Sequence, residues 1–378
     1  MRWYAEIRRA VKRCMPFLLS TQGANLALLV RAILIKRTLC QTELARTYPR
    51  PLERQTPNPK HDLLHRLKRL SRFLGNDQVD PQRVQLALIP YVLARIGNPS
   101  RVGLCVDWTY FGTSSFRVQV LKIGLARHGR VIPLLQLAYD RDDLPEKGQN
   151  RIEEDAIAAV VAALPPSCRP IILGDRGFAR QEFFQWLIAR KLDFVVRVRK
   201  KTCITDCDGN RHKLGYSLTV QPGGEAWLVD ARYALHHERP TDISLNLGIS
   251  WRKPDSSRTR KAPIEPNGPW YLATSLPSLQ LAVDWYRRRF WIEESFRDDK
   301  SRLLLDETQV KSAKRLNRLL MVLTFATCWL SLIADPETGV LPANWNSAVV
   351  TWGNAGLILL ALAYLDERLT LPRVLEPG

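Results

Sequence analysis

Three carboxylates in separate segments could act together on a phosphodiester. Asp107 follows the run Gly-Leu-Cys-Val, Asp175 follows Ile-Ile-Leu-Gly, and Glu293 ends the run Arg-Phe-Trp-Ile-Glu. Each acid therefore lies beside a strand-like apolar run or on a regularly patterned helix. Acids that a fold gathers from distant segments can hold paired Mg²⁺ ions for phosphoryl transfer. These three residues are the candidate metal ligands and catalytic residues.

The third acid lies in a segment that predicts one long helix, from 279 to about 305. At roughly 100° per residue, a narrow stripe of this helix carries four polar residues in the spacing Tyr-x2-Arg-x3-Glu-x6-Lys: Tyr286, Arg289, Glu293 and Lys300. Glu294 falls well away from the stripe, so Glu293 is the candidate ligand, flanked by a phenol and two cations. The alternative is an exposed helix with ordinary Glu–Arg pairs.

The first two acids require a sheet to position them. Alternating patterns predict strands at 102–110, 116–126 and 131–139, and a buried strand at 170–174, with helices at 153–164 and 181–190 and a further strand at 194–199. Antiparallel strands followed by alternating helices and strands predict an α/β fold with a mixed sheet. Asp107 would lie within the first strand and Asp175 at the carboxyl end of the fourth, where ligands of open α/β sheets gather.

The first hundred residues predict basic helices, with 18 Lys and Arg against 6 Asp and Glu. The helix predicted at 61–74 has an apolar face formed by Leu63, Leu64, Leu67, Leu70 and Phe73. Its other face carries four cations: Arg66, Lys68, Arg69 and Arg72. This face could lie on DNA phosphates or in a major groove, or it could simply be solvated.

The four-residue signature, with Asp107 and the Asp175-Arg-Gly-Phe segment upstream, resembles the DDE transposases of the IS4 family of bacterial insertion sequences. The likeness covers roughly residues 100–335. It implies a ribonuclease-H-like catalytic core with a β-rich insertion, flanked by an N-terminal helical domain and C-terminal helices. The expected division of the chain is 1–100 for basic DNA-binding helices, 101–200 for the first part of the core, 201–269 for the insertion, 270–335 for the second part with the Glu293 helix, and 336–378 for a C-terminal helical region.

The resemblance also implies an activity. Asp107, Asp175 and Glu293 would hold two Mg²⁺ ions, with Mn²⁺ able to substitute, for cleavage at transposon ends and strand transfer into target DNA. Partners would be double-stranded DNA, as terminal inverted repeats and as target, and a second copy in a homodimer on DNA. Three residues would bind phosphates near the cut: Tyr286, Arg289 and Lys300. Arg176 and Trp270 could handle a displaced base, although Trp270 could instead pack within its strand.

The totals agree with a DNA-binding globular protein. The net charge of +19 favours a polyanionic partner, and seven cysteines at scattered spacings favour free thiols in a reducing cytoplasm over a disulfide scaffold. The expected location is cytoplasmic and nucleoid-associated. The apolar stretch 319–334 is shorter than a membrane span, so a buried helix is expected. Three other functions stay open: a metal-dependent nuclease or resolvase without strand transfer, an inactive DNA-binding protein, and a membrane-associated protein.

Overall fold

The computed structural model describes residues 2–48, 59–113, 116–140, 144, 148–205, 208–234, 243–251 and 268–333. The α-helices in these ranges are α1 (Arg2–Cys14), α2 (Ser20–Lys36), α3 (Gln41–Arg46), α4 (Pro59–Leu74), α5 (Pro81–Arg95), α6 (Gly148–Ala162), α7 (Gln181–Ala189), α8 (Leu214–Ser217), α9 (Leu279–Arg289), α10 (Trp291–Arg297) and α11 (Ala313–Ile333). The strands are β1 (Arg101–Thr113), β2 (Phe116–Arg127), β3 (Arg130–Asp140), β4 (Arg169–Gly174), β5 (Asp193–Arg197), β6 (Cys203–Thr205), β7 (Arg211–Lys213), β8 (Glu225–Ala234), β9 (Ser244–Ser250) and β10 (Trp270–Thr274).

The chain forms two compact units. The first unit comprises Met1–Pro99, Trp108–Cys168 and Trp291–Gly378, and the second comprises Ser100–Asp107 and Arg169–Phe290. The predicted mixed α/β character is confirmed. The C-terminal region expected at 336–378, with its apolar helix at 355–367, lies outside the described residues. The five-part division of the chain stays a prediction.

In the first unit, a long hairpin and a buried helix form the core. β2 and β3 pair antiparallel, and His128 and Gly129 connect them with positive φ angles of 45° and 81°, as expected for a tight hairpin turn. The pairing shifts register beside Gly124, where a Cβ atom would lie 2.2 Å from the Val131 side chain, so glycine is required there. α11 packs against β3, α5 and α2.

Local signals explain several helix starts. The Asp80 side chain accepts hydrogen bonds from the backbone nitrogens of Gln82 and Arg83 at 2.9 and 3.1 Å, and Pro81 follows it at the first helical position of α5. Ser278 caps α9 in the same way, with its hydroxyl 3.3 Å from the backbone nitrogen of Leu281. Such caps are readable from sequence, and both helices begin close to these residues.

In the second unit, the strands follow the order β1, β4, β5, β10, β9, β8, β6, β7. β1, β4 and β5 are parallel, whereas β10 pairs antiparallel with both β5 and β9. The strands of the expected β-rich insertion therefore continue the sheet that contains β4 and β5. α9 packs against this sheet, and Gly103 on β1 makes room for Trp285, because a Cβ atom there would lie 2.9 Å from the Trp285 ring.

The single long helix expected at 279–305 is wrong. α9 ends at Arg289, α10 begins at Trp291, and a π-helical turn covers Asp298–Arg302. Leu304 then adopts a left-handed conformation with a φ of 56°, which ends the helical run. The four signature residues therefore do not share one uninterrupted helix. The single polar stripe expected for them on a straight helix does not apply across these breaks.

Two further expectations can be compared with the structure. The six cysteines in the described ranges carry free thiols, as expected. The apolar stretch expected as a buried helix is α11, whose inward side chains are almost fully buried. Among the described residues, no helix combines the length and apolarity needed to cross a membrane.

Candidate active site

β1 and α9 together place the first acid of the site. β1 pairs in parallel with β4 from Arg101 to Cys105, and Asp107 follows two residues later with a side chain that is 17% exposed. The Cys105 thiol donates to the backbone carbonyl of Arg288 at 3.4 Å, which ties β1 to the last turn of α9. Arg289 follows Arg288 in the chain, and this tie to β1 therefore brings Arg289 beside Asp107.

The second acid leaves the neighbouring strand. Asp175 directly follows β4, as predicted, and its Oδ1 atom accepts a 2.8 Å hydrogen bond from the backbone nitrogen of Gly177. This bond caps a 3₁₀ turn that runs from Arg176 to Phe178. The turn fixes the backbone of Asp175, while its side chain is 39% exposed, so the other carboxylate oxygen is accessible.

One guanidinium group joins the two acids. The Nη2 atom of Arg289 donates to Oδ2 of Asp107 at 2.7 Å and lies 3.7 Å from Oδ2 of Asp175. Arg289 is only 6% exposed, so this charge is compensated inside the protein. The structure therefore brings together three of the predicted site residues around a single shared positive charge.

An aromatic cluster supports the guanidinium. The Trp270 ring meets Tyr286 edge-on at 5.1 Å and stacks on Phe290 at 5.6 Å, and the Arg289 guanidinium carbon lies 5.6 Å from the centre of the Phe290 ring. Trp270 thus packs beside its strand as the alternative interpretation expected, although it stays partly exposed.

Tyr286 is an interior residue of this cluster, only 1% exposed. Burial raises the pKa of the Tyr286 hydroxyl to about 12, although the nearby cations Arg289 and Arg197 act in the opposite direction. The hydroxyl is therefore neutral at physiological pH. A phosphate contact by Tyr286 stays a prediction, and it would require the buried hydroxyl to be uncovered. Arg197, at the end of β5, was not among the residues predicted for the site.

Glu293 and Lys300 belong to the first unit. Glu293 is exposed on α10, and the Lys300 ammonium donates to the backbone carbonyl of Tyr110 at 2.8 Å. Lys300 lies in the π-helical turn, and such turns are frequent at functional sites. Tyr110 lies three residues after Asp107 in the chain. The contact therefore joins the segment that follows the first acid to the segment that follows Glu293.

Buried ion pairs hold the π-helical turn in the first unit. Lys122 on β2 donates to Asp299 at 2.5 Å and to Ser295 at 2.9 Å, and Arg130 donates to Asp298 at 3.1 Å. Lys122 is completely buried, and burial raises the pKa of the Asp298 and Asp299 carboxyls even though cations lie beside them. Sequence analysis missed these pairs, although a lysine inside the apolar run Val-Leu-Lys-Ile was a readable signal.

The cations predicted on α4 have different environments. Arg66 pairs with Asp62 and donates to the backbone carbonyl of Arg46 at 3.1 Å. Arg69 donates to Asn25 at 2.8 Å, whereas Lys68 and Arg72 are exposed. Leu64, expected on the apolar face, is 54% exposed, so that face is narrower than predicted. Arg176 of the second unit is also exposed, and nothing in these contacts tests DNA binding by the five cations.

The two acids carry the kind of oxygen ligand that a hard divalent cation requires. Carboxylate oxygens are the ligands that Mg²⁺ prefers, and the carboxylates of Asp107 and Asp175 already converge on one positive charge. In the part of the chain that the structure describes, no group of three or more His, Cys, Asp or Glu side chains is arranged to hold a metal ion. The two carboxylates offer donor atoms that suit Mg²⁺, and a third ligand stays a prediction.

Comparison with known proteins gave one family match. Residues 144–329, just under half of the chain, match the family model described as a transposase DDE domain. The matched range contains Asp175, the four signature residues, Arg176 and Trp270, and it begins after Asp107. No curated protein is similar enough to the chain to be matched to it.

Proposed function

We propose that this protein is a DDE transposase of the IS4 type, which binds the ends of an insertion sequence, cleaves the DNA and transfers the strands to a target. The observation that carries the proposal is the sharing of Arg289 between Asp107 and Asp175. These residues come from three distant segments, and a transposase DDE domain model matches two of those segments. A structural ion pair alone would not require a second, accessible carboxylate beside the same cation.

The strand arrangement supports a ribonuclease-H-like core within this proposal. Asp107 and Asp175 come from β1 and from the end of β4, which are adjacent parallel strands, and β5 extends the parallel group. The first unit contains the antiparallel pair β2 and β3. Side chains at the ends of adjacent parallel strands lie close together, so one cation or phosphate can contact both acids.

In this proposal Asp107, Asp175 and Glu293 hold two Mg²⁺ ions, or Mn²⁺ in their place. When bound, these ions supply charge stabilisation to the attacking and leaving oxygens of an in-line displacement. The protein's own residues position the substrate: Arg289 offers its guanidinium to a phosphate oxygen, and Lys300 offers a compact ammonium. Arg289 is buried, with its guanidinium carbon 5.6 Å from the centre of the Phe290 ring, and the exclusion of water strengthens its interaction with a phosphate.

The partners in the proposal are duplex DNA, both as terminal inverted repeats and as target, and a second copy of the chain in a homodimer on DNA. The excess of cations in residues 1–100 supports a role in DNA binding for that region, with Arg66, Lys68, Arg69 and Arg72 as its candidate contacts. A cytoplasmic, nucleoid-associated location follows from the same proposal.

The experiment is a cleavage assay on a supercoiled plasmid that carries the two ends of the element, in Mg²⁺ and in EDTA. We expect metal-dependent cuts at the ends followed by joined products, and we expect Glu293→Gln to bind the ends without cutting. Glu294→Gln is the matched control, because Glu294 lies on the same helix and pairs with Arg297 at 2.8 Å. Cuts without joined products would favour a nuclease, and full cleavage by Glu293→Gln would refute the assignment of the third acid.

A further inference from the structure

The outer end of the sheet in the second unit carries a row of cations. Across three strands, Thr205 of β6 lies opposite Arg211 of β7 on one side and Arg232 of β8 on the other. Cys203 lies between Lys213 and Ala234 in the same way. Residues directly opposite each other, and residues two apart along a strand, point to the same face of a sheet. Arg211, Lys213 and Arg232 therefore share one face.

On that face the three cations reach solvent, while Cys203 between them is buried at 8% exposure. The intervening residues Ile204 and Tyr233, which point the other way, are 1% and 0% exposed. Arg211, Lys213 and Arg232 are all exposed. Because neighbouring strands lie about 4.8 Å apart, the backbones of Arg211 and Arg232 are separated by roughly 10 Å. Arg232 also lies opposite Ser244 of β9, and the Ser244 hydroxyl donates to the Asp230 carboxylate at 3.4 Å.

An exposed aromatic ring adjoins further cations of the same unit. Tyr216 on α8 is 56% exposed, and the Lys200 ammonium lies 4.9 Å from the centre of its ring. Backbone bonds fix α8 here, since Gly215 donates to the carbonyl of Lys200 at 2.9 Å and Leu214 donates to that of Thr202 at 2.9 Å. Lys213 directly precedes α8 in the chain.

A glycine confirms how closely α8 approaches the strand segment. A Cβ atom on Gly215 would lie 2.3 Å from Cγ of Lys200 and 2.7 Å from the hydroxyl of Tyr271. The Lys200 side chain therefore runs across the backbone of α8 to reach the Tyr216 ring. A large, exposed tyrosine held beside a lysine is an arrangement that suits contact with a sugar and its flanking phosphate.

We infer that this basic face, defined as Lys200, Arg211, Lys213, Tyr216 and Arg232, binds the sugar–phosphate backbone of duplex DNA away from the Asp107–Asp175 pair. The inference rests on the proposed function and adds a second DNA contact to it. The cations take phosphates, and the flat face of Tyr216 packs on a deoxyribose. Backbone contacts of this kind position the duplex without reading its sequence.

The test replaces the three strand cations together, as Arg211→Gln, Lys213→Gln and Arg232→Gln. The matched control removes three exposed cations of the same unit, as Arg169→Gln, Arg190→Gln and Lys191→Gln. Binding of a fluorescent random-sequence duplex is measured by anisotropy in EDTA over a range of KCl concentrations. A plot of log K against log salt has a negative slope, and each lost phosphate contact reduces the magnitude of that slope by about 0.9. We expect the first variant to bind at least about tenfold more weakly with a slope reduced by nearly three, and the control to keep the wild-type slope.

Folding is checked separately. Both triple variants should retain the thermal unfolding midpoint of the wild type, and Arg211→Lys with Arg232→Lys should retain binding because the charge is kept. Tyr216→Phe should bind like the wild type, whereas Tyr216→Ser should bind more weakly. If the two triple variants lose affinity equally, the effect is one of total charge and the inference is overturned.

Failure of this inference is distinguishable from failure of the proposed function. If the wild type cuts plasmid DNA in Mg²⁺ and the basic-face variant binds DNA as tightly as the wild type, the inference is wrong and the function stands. If the wild type neither binds nor cuts DNA, the proposed function is wrong and the inference falls with it. Loss of binding to anionic lipid vesicles, with DNA binding unchanged, would assign the face to a membrane surface and overturn the inference.

Discussion

Arg289 donates a 2.7 Å hydrogen bond to Asp107 although the two residues are 182 positions apart in the chain. Both side chains are largely buried, at 8% and 17% exposure, so each charge depends on the other for compensation. The guanidinium lies in the position where a cation shared by Asp107 and Asp175 would be bound. A divalent ion that binds these carboxylates would therefore compete with Arg289 for the same oxygens.

Replacement of Arg289 should expose this competition. We expect Arg289→Gln to lower the free energy of unfolding in EDTA by about 3 kcal/mol, because it leaves the Asp107 carboxylate buried without its cation. Added Mg²⁺ should then stabilise the variant more than it stabilises the wild type. Arg287→Gln on the same helix is the control. Arg287 pairs with Asp284 on an exposed surface, so its replacement should change the free energy of unfolding by less than about 1 kcal/mol. Equal denaturation curves for both variants would show that the pair contributes nothing.

The buried Lys122–Asp299 pair should respond differently to single and double replacement. Asp299→Asn should lower the free energy of unfolding by about 3–5 kcal/mol, because Lys122 is completely buried and would lose its counter-charge. Lys122→Met combined with Asp299→Leu should recover most of that loss, because apolar side chains of similar size replace the pair. Urea denaturation of the three proteins provides the comparison. A double variant no more stable than Asp299→Asn would contradict this account.

A polar network inside the first unit allows a matched pair of isosteric changes on α11. Thr324 accepts a 2.9 Å hydrogen bond from the Gln136 side chain and donates to Gln85 at 2.8 Å, and all three residues are buried. Thr324→Val should therefore lower the free energy of unfolding by about 1–3 kcal/mol, because the side chains of Gln136 and Gln85 would each lose a hydrogen-bond partner.

Thr327 is the control for that change. Its buried hydroxyl has no hydrogen-bond partner within the described part of the chain, so Thr327→Val should be neutral or stabilising. Thermal unfolding of the two valine variants measures the difference directly. If both valine variants were destabilised equally, the cause would be the packing of the added methyl group and not the loss of the hydrogen-bond network.

Cys105 predicts a loss of stability in alkaline solution. Burial raises its pKa from 9.0 to about 12, so between these values the folded protein retains a proton that the unfolded chain releases. The unfolded state binds fewer protons there, and stability must fall as pH rises, by up to about 1.4 kcal/mol per pH unit for this group. Well below pH 9 the thiol is protonated in both states and contributes almost no pH dependence. Cys105→Ala should show a shallower fall in urea midpoint between pH 9 and 10.5, and identical slopes would contradict the assignment.

Sequence analysis succeeded where the cause of structure is local. The strands β1, β2 and β3 follow from sequence patterns that act over a few positions. The placement of Asp107 within β1 and Asp175 after β4 follows from the same patterns. These features are confirmed because neighbouring residues alone determine them.

The remaining features depend on tertiary contacts. No glycine or proline marks the end of α9 at Arg289, where the Phe290 ring stacks on Trp270. The π-helical turn depends on acids that pair with Lys122 and Arg130, more than 160 residues away. Burial of Tyr286 likewise depends on a strand that the helical pattern cannot reveal. A straight helical wheel therefore could not predict the environments of these residues.

The three-residue strand β7 is the outermost described strand at its end of the sheet. An outer strand offers unpaired backbone groups that could template aggregation with another chain. β7 is short and carries two exposed cations, Arg211 and Lys213, which oppose edge-to-edge association by repulsion and by hydration. The same side chains would thus keep concentrated protein dispersed, and light scattering of the Arg211→Gln and Lys213→Gln variant should rise at low salt.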